Sequence, residues 1–112
     1  MVLDISTMNG IVIITLVRRF DTDSAPAIED ELREIAEQCP DRVLFDFSKT
    51  EYIASAGLRV LLTTTRSILK KGGTVALSSL SPTVRQVFEI AGFTKIFSIF
   101  GTREEALHKL QK

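Results

Sequence analysis

The sequence predicts an α/β fold in which an N-terminal β-hairpin leads into βα repeats, giving a mixed, mostly parallel sheet of about five strands with four helices. Three observations carry this expectation. Asn9-Gly10 separates two β-rich runs; apolar residues recur at helical spacing in at least three later segments; and short apolar runs alternate with those segments along the rest of the chain.

The hairpin comes first. Residues 2–8 and 11–17 are the two β-rich runs, and Asn-Gly is the dipeptide that tolerates the positive φ angles of a tight two-residue turn. Ser24 is then expected to cap a helix whose first turn accommodates Pro26, with Ile28, Leu32, Ile35 and Cys39 on its buried face. Glu29, Asp30, Arg33, Glu34 and Glu37 fall on the opposite face, and Pro40-Asp41 ends the element. Val43 to Phe47 reads as a central strand.

A second helix follows, with Leu58, Leu61, Leu62, Thr65 and Leu69 as its buried stripe and Arg59, Arg66, Lys70 and Lys71 away from it. Gly72-Gly73 stops this helix, and cations in its last turns suit the helix dipole. Thr74 to Ser79 is the next strand. Ser81-Pro82 opens a third helix carrying Val84, Val87, Phe88 and Ala91, which Gly92 closes; Lys95 to Phe100 is a last short strand, and Thr102 caps a terminal helix.

Composition narrows the function. A chain of 112 residues with 45% hydrophobic content fits one domain, residues 1–112, with a core adequate for folding. Fourteen basic residues balance fourteen acidic ones with no long run of either sign, which gives no electrostatic reason to expect direct nucleic-acid binding or an anionic membrane. The start of the chain lacks the pattern of an export signal, and no apolar run approaches the roughly 18 to 20 residues that cross a bilayer. Cys39 is the only cysteine. A lone thiol suits a reducing cytosol, so a soluble cytoplasmic protein is expected.

The usual chemistries are missing. His108 is the only histidine and lies in a polar terminal helix, which leaves no cluster of metal ligands and no evident base. Gly72-Gly73 follows a helix and precedes a strand, the reverse of what a phosphate-binding glycine loop requires. Asp46 stands near the end of a parallel strand, as a phosphoacceptor would, yet the earlier strands supply no paired carboxylates for magnesium, and a structural or capping role is expected instead. The reading is therefore of a binding protein with no cofactor, and not of an enzyme.

One segment stands apart. Between the central strand and the second helix, Lys49-Thr50-Glu51-Tyr52-Ile53-Ala54-Ser55-Ala56-Gly57-Leu58 puts small residues where large ones would serve to cover core. Ser55 falls where the helix begins. Its hydroxyl either caps free backbone amides in the ordinary way or is an accessible site of modification, since the amides and dipole at that end favour the roughly −1.5 to −2 charge of a phosphate. A hydrated dianion on a docking surface would oppose a partner fitted to a neutral serine.

The segment YIASAGLRVLL resembles the motif of the STAS domains of bacterial anti-sigma factor antagonists, whose usual pattern after a strand is Asp-Ser-Ser/Ala-Gly-Leu. The resemblance extends to Arg19-Phe20-Asp21 with Ser24-Ala25, to residues 43–48, to Ser81-Pro82 with Val84-Arg85, to Ala91-Gly92-Phe93 and to Glu104-Glu105-Ala106. It implies that Ser55 is the residue phosphorylated by an anti-sigma factor that is a serine-protein kinase, and that the loop around it, Ala54, Ser55, Ala56 and Gly57, belongs to the partner-binding surface. Position adds two more residues to that surface: Asp21, in a loop expected near the same sheet end, and Arg59, expected to be exposed one turn into the helix, where it can meet an acidic group on a partner. By the same resemblance a PP2C-like phosphatase would reverse the modification. Ala54 departs from the pattern, occupying a position where many members carry Asp and some Ser.

Two further functions stay open on the residues: a scaffold or sensory-complex docking module that needs no phosphorylation, and a small-ligand binder or weak nucleotide hydrolase using the helix-terminal amides.

Overall fold

The computed structural model describes residues 2–111. Its strands are β1 (Asp4–Met8), β2 (Ile11–Thr15), β3 (Arg19–Phe20), β4 (Arg42–Asp46), β5 (Tyr52–Ile53), β6 (Thr74–Ser78) and β7 (Ser98–Phe100). Its α-helices are α1 (Ala25–Glu37), α2 (Ser55–Lys70), α3 (Pro82–Ile90) and α4 (Arg103–Leu110), with a single 3-10 turn at Phe93–Lys95. The main sheet has five strands in the order β1-β2-β4-β6-β7, and only the β1–β2 hairpin is antiparallel. The mixed, mostly parallel sheet with four helices is thus as expected, with β4 at its centre.

Asn9 and Gly10 both adopt positive φ, 53° and 79°, the signature of the tight turn their sequence predicts. Alternation along the strands then sorts side chains into two layers. Val43 and Phe45 of β4 and Val75 and Leu77 of β6 join Ile28 and Leu32 of α1, Leu61 and Ile68 of α2, and Val84 and Phe88 of α3 in the larger core. Leu44, Ala76, Ile11 and Ile13 point the other way, onto Ala106, Leu107 and Leu110 of α4. Three helices cover one face of the sheet and α4 covers the other.

Several local expectations are corrected. Ser24 does not cap α1 through its side chain; its backbone is already helical and its hydroxyl turns back to donate to the Arg19 carbonyl at 2.7 Å. Cys39 is exposed because α1 ends at Glu37; it lies just past the C-cap Gln38 with φ 52°, the left-handed conformation common at that position. On α2, Val60, Thr64 and Ile68 join Leu58, Leu61 and Thr65 in the buried set, while Leu69, one residue round from Ile68, is half exposed. Ala91 is the C-cap of α3 and is exposed. The last strand is shorter than residues 95–100, since the 3-10 turn takes its start.

A feature absent from the sequence reading is the second sheet, in which β3 and β5 pair in parallel through only two residues each. No helix among the described residues is long and apolar enough to cross a membrane.

Candidate functional site at the start of α2

The small-residue segment is fixed from below by β3 and β5. The amides of Glu51 and Tyr52 donate to the Arg18 carbonyl at 2.8 and 3.2 Å, and the Ala54 amide donates to the Phe20 carbonyl at 3.0 Å. Thr50, buried, donates its hydroxyl to the Val17 carbonyl at 2.8 Å. Outside this frame Arg18 pairs with Glu51 at 2.7 Å, and the Arg19 guanidinium lies 4.8 Å from the centroid of the Tyr52 ring. The loop before α1 and the loop before α2 are therefore one structural unit.

Gly57 explains why the unit closes. A Cβ at this position would lie 2.5 Å from the Phe20 carbonyl oxygen and 2.9 Å from the Phe20 ring, so only glycine allows the first turn of α2 to rest on β3. Gly57 is buried. Its contribution to the candidate surface is to seat the residues around it, in place of offering surface itself.

Ser55 is exposed and is the first residue of α2, one position inside the helix from the cap position that the sequence suggested. Ala54 is the N-cap, with an extended backbone at φ −108° and ψ 174°, and no side chain caps this end. The contrast with α3 and α4 is direct: Ser81 accepts from the Val84 amide at 3.2 Å and Thr102 from the Glu105 amide at 3.1 Å. The first amides of the 16-residue α2 are left without an oxygen from the chain's own side chains.

Asp21 follows Phe20 directly, so the β3–β5 pairing brings it to the α2 start, but its carboxylate is spent on its own loop. Its Oδ1 accepts from the amides of Asp23 and Ser24, both at 3.1 Å, and its Oδ2 accepts from Arg19 at 3.4 Å. The Ser24 amide, above all, holds the Asp21 carboxyl below the usual carboxylate range against the opposing effect of partial burial, with Arg19 and the Asp23 amide adding to the lowering. Ala56 is half-buried and Arg59 exposed; together with Pro26 and Glu29 of α1 they border a shallow depression of about 240 Å³.

Sequence reasoning singled out Arg19, Phe20, Thr50 and Tyr52 as parts of two separate segments but missed that the β3–β5 pairing joins them into the frame of this site. A two-residue strand has no period to detect, and the only available signal was that small residues at 54–57 imply something packed closely against them. Among the described residues no group of three or more His, Cys, Asp or Glu side chains could hold a metal ion.

Comparison with known proteins bears on the family and the fold. The chain is 36% identical over 106 residues to BtrV of Bordetella bronchiseptica, a protein named as an anti-sigma factor antagonist, with 95% of this chain and 91% of that protein covered. It is 30% identical over 101 residues to the anti-sigma-F factor antagonist RsfB of Mycobacterium tuberculosis, covering 88% of this chain and 80% of the relative. Its fold superposes on the Bacillus anti-sigma factor antagonist SpoIIAA in two solved forms. The unphosphorylated form gives a TM-score of 0.82 at 22% identity, covering 97% of this chain and 96% of that one. The phosphorylated form gives 0.72 at 22% identity, covering 96% and 97%. The family model for the STAS domain matches residues 3–106, nearly the whole described chain, and by that match the protein belongs to the STAS domain family.

Proposed function

We propose that the chain is an anti-sigma factor antagonist, a binding switch controlled by phosphorylation of Ser55. Unmodified, it sequesters an anti-sigma factor that is also a serine kinase and so releases the sigma factor or other target; phosphorylated, it lets go, and a PP2C-like phosphatase resets it. The chain itself performs no chemistry.

The observation that carries this reading is the exposure of Ser55 at the head of a 16-residue helix whose first amides no side chain caps. A phosphate there meets free N–H groups and the positive end of the dipole, so the modified state costs the fold little. The rigid β3–β5 frame presents the hydroxyl on a fixed surface, where a dianion of roughly −1.5 to −2 charge removes the fit to a partner shaped for a neutral serine. Relatives named as anti-sigma factor antagonists support the same assignment.

Incubation with the anti-sigma factor kinase of the native host and ATP, followed by phosphosite mapping, is expected to place phosphate on Ser55. Ser55→Asp is expected to weaken binding of that kinase by about tenfold or more, as a like-charge or desolvation penalty of a few kcal/mol predicts. An unmodified Ser55 together with undiminished binding by Ser55→Asp would overturn the reading.

Ala54 favours one alternative, a docking module that works without phosphorylation, because the cap position offers no carboxylate to orient the Ser55 hydroxyl. Under it Ser55→Ala and Ser55→Asp bind the partner equally well.

A further inference from the structure

The formal charge of zero conceals an uneven distribution. Arg18, Arg19, Arg33, Arg85 and Arg103 each meet a carboxylate, and Arg42 donates to the Leu110 carbonyl. Arg59 and Arg66 are the two arginines with no partner among the described residues, and both lie on α2. Lys70, on the same helix, is likewise exposed and without a carboxylate, and α2 contains no Asp or Glu at all.

Helical geometry turns these three cations into a line. At about 100° per residue, Ser55, Arg59, Arg66 and Lys70 fall within a sector of roughly 60°, and at about 1.5 Å per residue the line runs some 22 Å from the serine. All four are exposed. No carboxylate of neighbouring α1 forms an ion pair with the stripe: Glu29 borders the same depression as Arg59, but it and Asp30 pair with Arg33 of their own helix at 3.9 and 3.1 Å.

We propose that this stripe is a docking rail for an acidic surface on the kinase that Ser55 serves, extending the contact along α2 well beyond the serine. The proposal rests on the reading of Ser55 as the switch. Unpaired guanidinium groups offer planar, multiple donors to carboxylates, and rim charges of this kind set association rate and salt dependence. The form of the patch favours a folded protein over a polyanion. Glu29, Asp30, Glu34 and Glu37 are exposed on the adjoining helix, so a lipid surface or a nucleic-acid backbone wide enough to span both helices would meet repulsion beside the rail. A protein surface can place its acidic groups opposite α2 alone.

The test is the double variant Arg66→Glu/Lys70→Glu, whose positions are three or more helical turns from Ser55 and whose side chains are exposed and make no hydrogen bond or ion pair among the described residues. Binding of the native host's anti-sigma factor kinase is measured by surface plasmon resonance at about 50 and 300 mM salt. The expected result is a Kd raised about tenfold at the lower salt, chiefly through slower association, with the gap narrowing at the higher salt. Wild-type Kd and wild-type salt dependence in the double variant would overturn the rail. If Ser55→Asp weakens binding and the double variant does not, the rail fails and the switch stands; if the double variant weakens binding and Ser55→Asp does not, the rail stands and the switch fails. A wild-type chain that does not bind the kinase overturns both. Phosphatidylserine vesicles and a short DNA duplex serve as further probes. Tight wild-type binding to either, lost in the double variant while kinase binding is retained, would assign the stripe to a polyanion and overturn the proposal.

Discussion

Ala54 sits at the N-cap of α2 with the extended backbone such a position requires, yet its methyl group offers no oxygen to the amides of the first turn. The cap geometry is built and the capping group is absent. Ala54→Asp should supply it, accepting from an amide of the first turn while placing a negative charge at the positive end of a long helix. The expected gain is about 1 kcal/mol, read as a higher urea midpoint with an unchanged slope. An unchanged or lower midpoint would mean that solvent already satisfies those amides as well as a carboxylate can. The sequence located Ser55 at the helix start but misjudged its place by one residue, which is the ordinary uncertainty of a helix boundary read from pattern. That single residue matters, since it exchanges a capping serine for one whose hydroxyl has no structural duty.

The elements themselves were legible wherever periodicity had room to show. The hairpin announced itself by Asn9-Gly10, the helices by their apolar stripes, and the order of elements implied the parallel sheet. The two-residue strands β3 and β5 were not legible, nor was the attachment of α4, whose contacts join residues far apart in sequence, 57 positions in the case of Asp46 and Arg103. There Asp46, buried at the end of β4, accepts from Arg103 Nε at 3.0 Å and from Arg103 Nη2, and from the Ser48 amide at 2.9 Å. Burial pushes the Asp46 carboxyl up, but Arg103 and Ser48 more than offset it and hold it below the usual aspartate range. A depressed folded-state pKa means that the ionised form favours the folded state. Its contribution is complete above the ordinary aspartate pKa of about 4 and drains away as the pH falls through the folded value. Asp46→Asn is therefore expected to cost about 1–3 kcal/mol at neutral pH, the partial exposure of Arg103 keeping the loss below that of a fully buried pair. Urea midpoints at pH 7 and near pH 3 check this: the difference between the variant and the wild type should be larger at the first and narrower at the second. A gap of equal size at both would show that the ion pair is not what Asp46 contributes.

At the scale of the whole molecule, the three-helix face with its framed α2 start and the α4 face behave as separate concerns. The first carries the candidate site; the second closes the core through Ala106, Leu107 and Leu110. Under the proposed function, modification of Ser55 would touch neither core, because the residue is exposed and caps no helix amide with its side chain. The switch should accordingly act by altering a surface on a molecule that stays folded. Ser55→Glu tests this without a kinase. A carboxylate in the first turn of a helix is favourable by about 0.3–1 kcal/mol, and in a domain near this size 1 kcal/mol moves Tm by roughly 4–8 °C. The expected outcome is a Tm equal to the wild type or a few degrees higher, with amide hydrogen exchange altered only around residues 51–59. A Tm lowered by several degrees, with faster exchange spreading into β4 and β6, would show instead that a negative charge at this position loosens the domain, and that partner release works through partial unfolding.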